Sequence, residues 1–132
     1  MTTVIETTAS NSVVIDSSGW LEYITGDQKA DLFAPYFETD VRILVPVIVL
    51  YEVRKVLLRS FSETMADIFQ SNALRHEVIN IDEYIAMSAA TLSLKYKLAM
   101  ADALICATAQ RYEAQLVTSD AHFDNVPGVT LL

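Results

Sequence analysis

Four acidic residues stand where acids are unusual. Asp16 follows the branched run Val13-Val14-Ile15, and Glu52 interrupts an apolar stretch that begins at Ile43. Asp102 is the only charged residue between Ala99 and Gln110, and Asp120 comes just after Leu116-Val117-Thr118. A carboxylate in apolar surroundings is costly unless it is paired or bound to a cation. If the four acids converge, oxygen donors of this kind suit a hard divalent ion such as Mg²⁺ or Mn²⁺. Thr118 and Ser17 would add hydroxyls beside it.

Each acid also has a local explanation. Asp16 would cap a following helix, and Asp102 would favour the dipole of a first turn. Asp120 would serve a turn, and Glu52 would pair with Lys55 at i+3. Four coincident local explanations on one side of a fold weigh less than one shared site. His76 reads as a strand residue and His122 as a loop residue. Neither has the i+4 partner of a zinc pair, so both read as structural. Cys106 reads as a small core residue. Lys55 and Arg59 follow Glu52 at i+3 and i+7 on one helix face. They read either as solvated ion pairs or as phosphate contacts beside the cation.

The elements that must carry these residues alternate. Strands are expected near Val13–Asp16, Ile43–Val45, Glu77–Ile81 and Leu116–Thr118. Between them, a short helix after Gly19 stops at Gly26, and Ala30 to Phe37 forms another. A longer helix has Pro46 in its first turn, Ser62 and Asp82 cap two more, and Ala99 to Gln110 forms a helix buried on most sides. Val126-Pro127-Gly128 is a turn before the apolar run Val129 to Leu132. Short apolar strands alternating with helices predict a three-layer α/β domain, its central, mostly parallel sheet flanked by helices. In such sheets sites form beyond the carboxyl ends of the strands, where Asp16 and Asp120 fall.

The chain has 132 residues, enough for one domain, which is expected over residues 13–132 behind a loose arm at 1–12. Three glycines, Gly19, Gly26 and Gly128, make no phosphate-cradling motif, and one cysteine excludes an internal disulfide. Net charge −8 disfavours a broad electropositive nucleic-acid surface but leaves room for a local basic strip. The run Ile43 to Tyr51 is too short to span a membrane, and Met1 to Ser12 lacks the basic start of a secretory signal, so the cytoplasm is expected.

Val14-Ile15-Asp16-Ser17-Ser18-Gly19-Trp20-Leu21, Glu52 after the second strand, Met100-Ala101-Asp102-Ala103-Leu104-Ile105 and Leu116-Val117-Thr118-Ser119-Asp120-Ala121-His122-Phe123 resemble the successive motifs of PIN-domain ribonucleases, in particular VapC toxins of toxin–antitoxin pairs. The resemblance runs from about Val13 to Leu132. It implies a PIN-like fold and a Mg²⁺- or Mn²⁺-dependent endoribonuclease that cuts a structured cellular RNA to leave 5′-phosphate and 3′-hydroxyl ends. It assigns Asp16 and Asp102 to the principal ion, Glu52 and Asp120 to completing the site, and Thr118 to orienting a ligand or water. Lys55, Arg59 and Ser17 are candidate RNA contacts.

The same resemblance implies a small cognate antitoxin and a homodimer. A mean hydropathy of +0.31 suggests incompletely buried apolar faces around Trp20, Tyr23, Phe33 and Phe37 that could serve such partners. Two departures from the family pattern are Ser18, where many members have Asn, and Ala99, where a hydroxyl often caps the helix. The alternatives are a catalytically idle PIN-like binding module and an aspartate-based phosphotransfer or phosphatase domain. The phosphatase signature wants a second Asp where this chain has Ser18.

Overall fold

The structure, a computed structural model, describes residues 11–132. Most of the expected N-terminal arm, residues 1–10, lies outside the described residues. Ser12, assigned to that arm, is buried and opens the first strand. In chain order the elements are β1 (Ser12–Ile15), α1 (Ser17–Thr25), α2 (Ala30–Phe37), β2 (Arg42–Pro46), α3 (Val47–Ser60) and α4 (Glu63–Ala73). They continue with β3 (Glu77–Ile79), α5 (Glu83–Tyr96), α6 (Met100–Arg111), β4 (Gln115–Thr118), a 3-10 turn at Ala121–Phe123 and β5 (Val129–Leu131).

The strands form one sheet in the order β3-β2-β1-β4-β5, with every pairing parallel. Side chains alternate between faces along a strand, yet Val13, Val14 and Ile15 are all buried, so both faces of β1 are covered. The six helices supply that cover, giving the expected three-layer α/β arrangement.

Three boundaries differ from the sequence reading. Pro46 ends β2, in register with Ile79, rather than starting a helix. Its backbone at φ −59 and ψ 138 is extended, so the helix begins only at Val47. β3 stops at Ile79, leaving Ile81 outside it. The terminal apolar run becomes a fifth strand along β4, with Val129 in register with Leu116.

Local signals explain most helix ends. Ser62 accepts from the Met65 amide and Asp82 from the Ile85 amide, both as side-chain caps. Gly26 ends α1 at φ 69, a left-handed conformation that favours glycine. Gly19 has a packing role. A Cβ there would lie 2.5 Å from the Phe33 ring and 2.6 Å from Ile15, so its absence lets α1 close onto α2 and β1.

The suggested exposed aromatic face is not present as such. Trp20 and Phe33 are core residues at 1% and 0% exposure, with Phe37 and Phe69 edge-on to the Trp20 ring. Tyr23 stacks on Phe37 at 4.2 Å and is half-buried. The large apolar side chains left in solvent include Met87 and Leu94 of α5 and Met100 of α6. Cys106 is buried, its thiol pushed up to about 11 by that burial, which fits a core residue. Among the described residues, no helix is long and apolar enough to cross a membrane.

Candidate active site

β1 and β4 are neighbours with Ile15 opposite Val117, so the residues that follow, Asp16 and Thr118, emerge side by side at the carboxyl edge of the sheet. Asp16 is buried, and its amide extends the ladder to the Val117 carbonyl at 2.9 Å. Its side chain does not cap α1. Instead Oδ2 accepts from Thr118 Oγ1 at 2.8 Å and from Ser18 Oγ at 3.1 Å. Burial raises the pKa of Asp16. The bonds from Thr118 and Ser18 and the Ser17 amide oppose that rise, and the charge of Asp120 adds to it.

Thr118 is fully buried and ties two acids together. Its hydroxyl donates to Asp16 and accepts from the Asp120 amide at 2.9 Å. Asp120 then turns the chain. Its Oδ1 accepts from the His122 amide at 2.9 Å, capping the 3-10 turn, and lies 3.1 Å from His122 Nδ1. The turn explanation for Asp120 is therefore correct, and it coexists with a place among the other acids.

Glu52 sits in α3 beside the stripe Val49, Val53 and Leu57 that α3 buries. Its Oε1 accepts from Ser17 Oγ at 2.7 Å, a bond from the first residue of α1. Lys55 turns the other way, reaching the Tyr51 hydroxyl at 3.3 Å. Ser17, a candidate RNA contact, thus has its hydroxyl engaged in holding an acid. Lys55 and Arg59 lie with Leu50, Tyr51, Arg54 and Leu58 along an open groove on α3.

Asp102 enters from the first turn of α6, whose cap position, Ala99, makes no side-chain bond. Burial, and then the charges of Asp16, Asp120 and Glu52, push its carboxyl up to about 6, with His122 acting in the opposite direction. All four acids therefore fall within one electrostatic neighbourhood. Lysine and arginine do not neutralise it: their ion pairs among the described residues, Arg42–Glu77 and Arg54–Asp67, lie elsewhere.

Oxygen donors with no lysine or arginine paired to them among the described residues fit a hard divalent cation. Carboxylate oxygens of Asp102 and Asp120 and a ring nitrogen of His122 lie within 4.8 Å of one another. Two contributors were not foreseen. Ser18 donates to Asp16, accepts from the Ser119 amide at 3.3 Å and lies 3.4 Å from Thr118 Oγ1, bridging the ends of β1 and β4. His122, expected to be structural, is 82% exposed and belongs to the acid cluster. Its signal was the spacing Asp120-Ala121-His122, which puts an imidazole back over the acid that caps its own turn. His76 does behave structurally, half-buried against Trp20 at 6.1 Å, with its pKa lowered by that burial and by Arg75.

An all-parallel sheet with acids at its carboxyl edge is the architecture of a PIN-like α/β domain. The PIN domain family matches residues 13–129, and the chain belongs to that family. Similar solved structures include a toxin–antitoxin complex from Klebsiella pneumoniae, at 24% identity and TM-score 0.77, covering 90% of this chain and 96% of that one. Another is VapC20 of Mycobacterium tuberculosis, a sarcin–ricin loop cleaving toxin, at 17% identity and TM-score 0.77, covering 91% and 98%. A third is VapBC2 from Rickettsia felis bound to a DNA fragment from its promoter, at 17% identity and TM-score 0.71, covering 91% and 96%. No curated protein matches the chain in sequence.

Proposed function

We propose that this chain is a metal-dependent endoribonuclease toxin that hydrolyses phosphodiester bonds of a structured RNA and is inhibited by a small antitoxin protein. The observation that carries the reading is an Asp102 pushed up to about 6 by its burial and then by three other carboxylates gathered around it, with no lysine or arginine ion-paired to them among the described residues. Such a site asks for a cation. Asp16 and Asp102 would hold Mg²⁺ or Mn²⁺, and Glu52 and Asp120 would complete its surroundings. When bound, such an ion lowers the pKa of a water and offsets the charge that grows on the phosphate oxygens.

The chain's own residues do the positioning. Thr118 and Ser18 fix one oxygen of the Asp16 carboxylate, which would hold the ion. Ser17 holds Glu52, and the Thr118 hydroxyl fixes the Asp120 backbone, so the acids arrive arranged before substrate does. Lys55 and Arg59 on α3 would take phosphates of the RNA, and the chain's net charge of −8 limits binding to RNA that fits them. Lys55→Ala and Arg59→Ala are expected to weaken RNA binding and flatten its salt dependence, read by titration across salt concentrations.

The antitoxin would present a lysine or arginine to the acids, giving charge-assisted bonds where the cation would sit. The antitoxin-bearing neighbours of similar fold support that partner. A homodimer is proposed through the exposed Met87, Leu94 and Met100 in place of the aromatic residues, which are buried or half-buried. The cytoplasm is the proposed location, where RNA and antitoxin are met.

The test is incubation of purified protein with cellular RNA in Mg²⁺, in Mn²⁺ and in excess chelator, followed by sequencing of the new ends. Discrete cuts with 5′-phosphate ends, lost in chelator, are expected. Metal-bound protein that leaves every RNA intact would make the chain an idle PIN-like binding module. Coexpression with the neighbouring reading frame should suppress cleavage and yield a copurifying small protein.

A further inference from the structure

We propose that His122 supplies an imidazole nitrogen to the cation held by the acid cluster, so that the site takes later first-row ions such as Co²⁺ more readily than its carboxylates alone would. The inference rests on the metal-dependent reading above and names a further ligand for that same site. Carboxylates alone suit Mg²⁺, Ca²⁺ and Mn²⁺, whereas imidazole favours the later first-row metals, so one added nitrogen shifts selectivity.

Three observations carry it. First, a ring nitrogen of His122 and oxygens of Asp102 and Asp120 lie within 4.8 Å of one another, Asp102 from the start of α6 and the other two from the turn after β4. An octahedral ion at about 2.1 Å spaces adjacent and opposite ligands roughly 3 to 4 Å apart, so a small closure completes the set. Second, the backbone of His122 is fixed. Phe123 is fully buried beside it, and the Asp120 carboxylate accepts the His122 amide. Third, the ring is 82% exposed but turned toward Asp120 at 3.1 Å, so it can swing onto an ion without breaking core contacts. His76 cannot play this part, because it precedes β3 at the opposite edge of the parallel sheet and packs on Trp20.

The experiment uses the full chain loaded with Mn²⁺ and examined by pulsed electron paramagnetic resonance for nitrogen coupling. Mg²⁺ and Co²⁺ dissociation constants are measured in parallel by calorimetry. The wild type should show nitrogen coupling, and His122→Ala and His122→Gln should both lose it. Both variants should bind Co²⁺ about tenfold more weakly, the scale on which even outer-shell partners of a metal act, while Mg²⁺ affinity changes little. Mn²⁺ bound with no nitrogen coupling, or coupling that persists in both variants, would overturn the His122 assignment and leave the acid site intact. Failure of the wild type to bind any of the three ions would overturn both this inference and the metal-dependent function.

Discussion

The two ends of the sheet use the same residue types differently. At the amino edge, Arg42 of β2 grips Glu77 of β3 with contacts of 2.7, 2.9 and 3.0 Å, and His76 rests on Trp20. Charge there is paired or exposed. At the carboxyl edge Asp16, Glu52, Asp102 and Asp120 are gathered with hydroxyls and one histidine, and burial together with the other three acids pushes Asp102 up to about 6. A fold under selection for stability alone would gain by replacing some of those acids. The difference teaches that a candidate functional edge is recognisable by polarity left uncompensated inside a well-packed scaffold.

The sharpest way to break this comparison is Asp102→Asn, which keeps the side-chain shape and removes the charge. RNA cleavage should fall at least a hundredfold, on the scale of losing one main electrostatic stabiliser, while circular dichroism stays unchanged. Asp124→Asn, exposed and outside the cluster, should retain most activity. Equal cleavage by Asp102→Asn and wild type would mean that the carboxyl edge is not the active one.

The next effect is on stability. Gly19→Ala gains helix propensity, but its methyl group would meet Phe33 and Ile15, both buried and unable to give way. A net loss of about 1–3 kcal/mol is expected, read as a lower urea midpoint. Because the clash pushes α1 away from β1, it should also displace Ser17 and Ser18 and reduce activity. Unchanged stability would show that the junction between α1 and β1 is looser than its contacts indicate.

Much of this organisation was legible in the sequence because it is local. Runs such as Val13-Val14-Ile15 declare buried parallel strands, and Gly26, Ser62 and Asp82 declare helix ends through their own conformations and caps. The four acids were legible because each breaks an apolar pattern. What escaped depends on pairing between distant segments. Ser18 looks like an ordinary helix-start residue until the sheet order sets β4 beside β1 and brings Ser119 and Thr118 to it. His122 has no helical partner to advertise a ligand, and only the turn around Asp120 directs it back to the acids. Trp20 and Phe33 could be read as core or as interface, and only the meeting of helices decides for the core.

A smaller effect follows from pH. The Asp102 carboxyl has an ordinary value of 3.8 and is pushed up to about 6 in the folded chain. Below about 4 the proton is bound in both states and the acid costs nothing. As pH rises through 6 the unfolded chain has already ionised, so this contribution to folded stability is lost. Without metal, wild type should lose roughly 1 kcal/mol relative to Asp102→Asn between pH 4 and pH 7, after allowance for solvent screening. Adding Mg²⁺ at pH 7 should restore the wild type and leave Asp102→Asn nearly unmoved, because only a folded state that binds the ion gains from it. A difference that runs the other way with pH would mean that Asp102 is already neutralised by a basic group.

The smallest effect belongs to the amino edge. Arg42 and Glu77 make a bidentate pair between β2 and β3, but their side chains are 50% and 46% exposed. Water screens such a pair, and ordering two long side chains offsets much of the attraction. Arg42→Ala should therefore cost less than about 1 kcal/mol, shrinking further in high salt, with cleavage and metal affinity at wild-type levels. The measurement is a pair of urea titrations at low and high salt beside one cleavage assay. If Arg42→Ala instead cut activity as deeply as Asp102→Asn, the catalytic edge would depend on the register of β2 against β3. Charge at the amino edge would then set the geometry of the acids at the other end of the same strands.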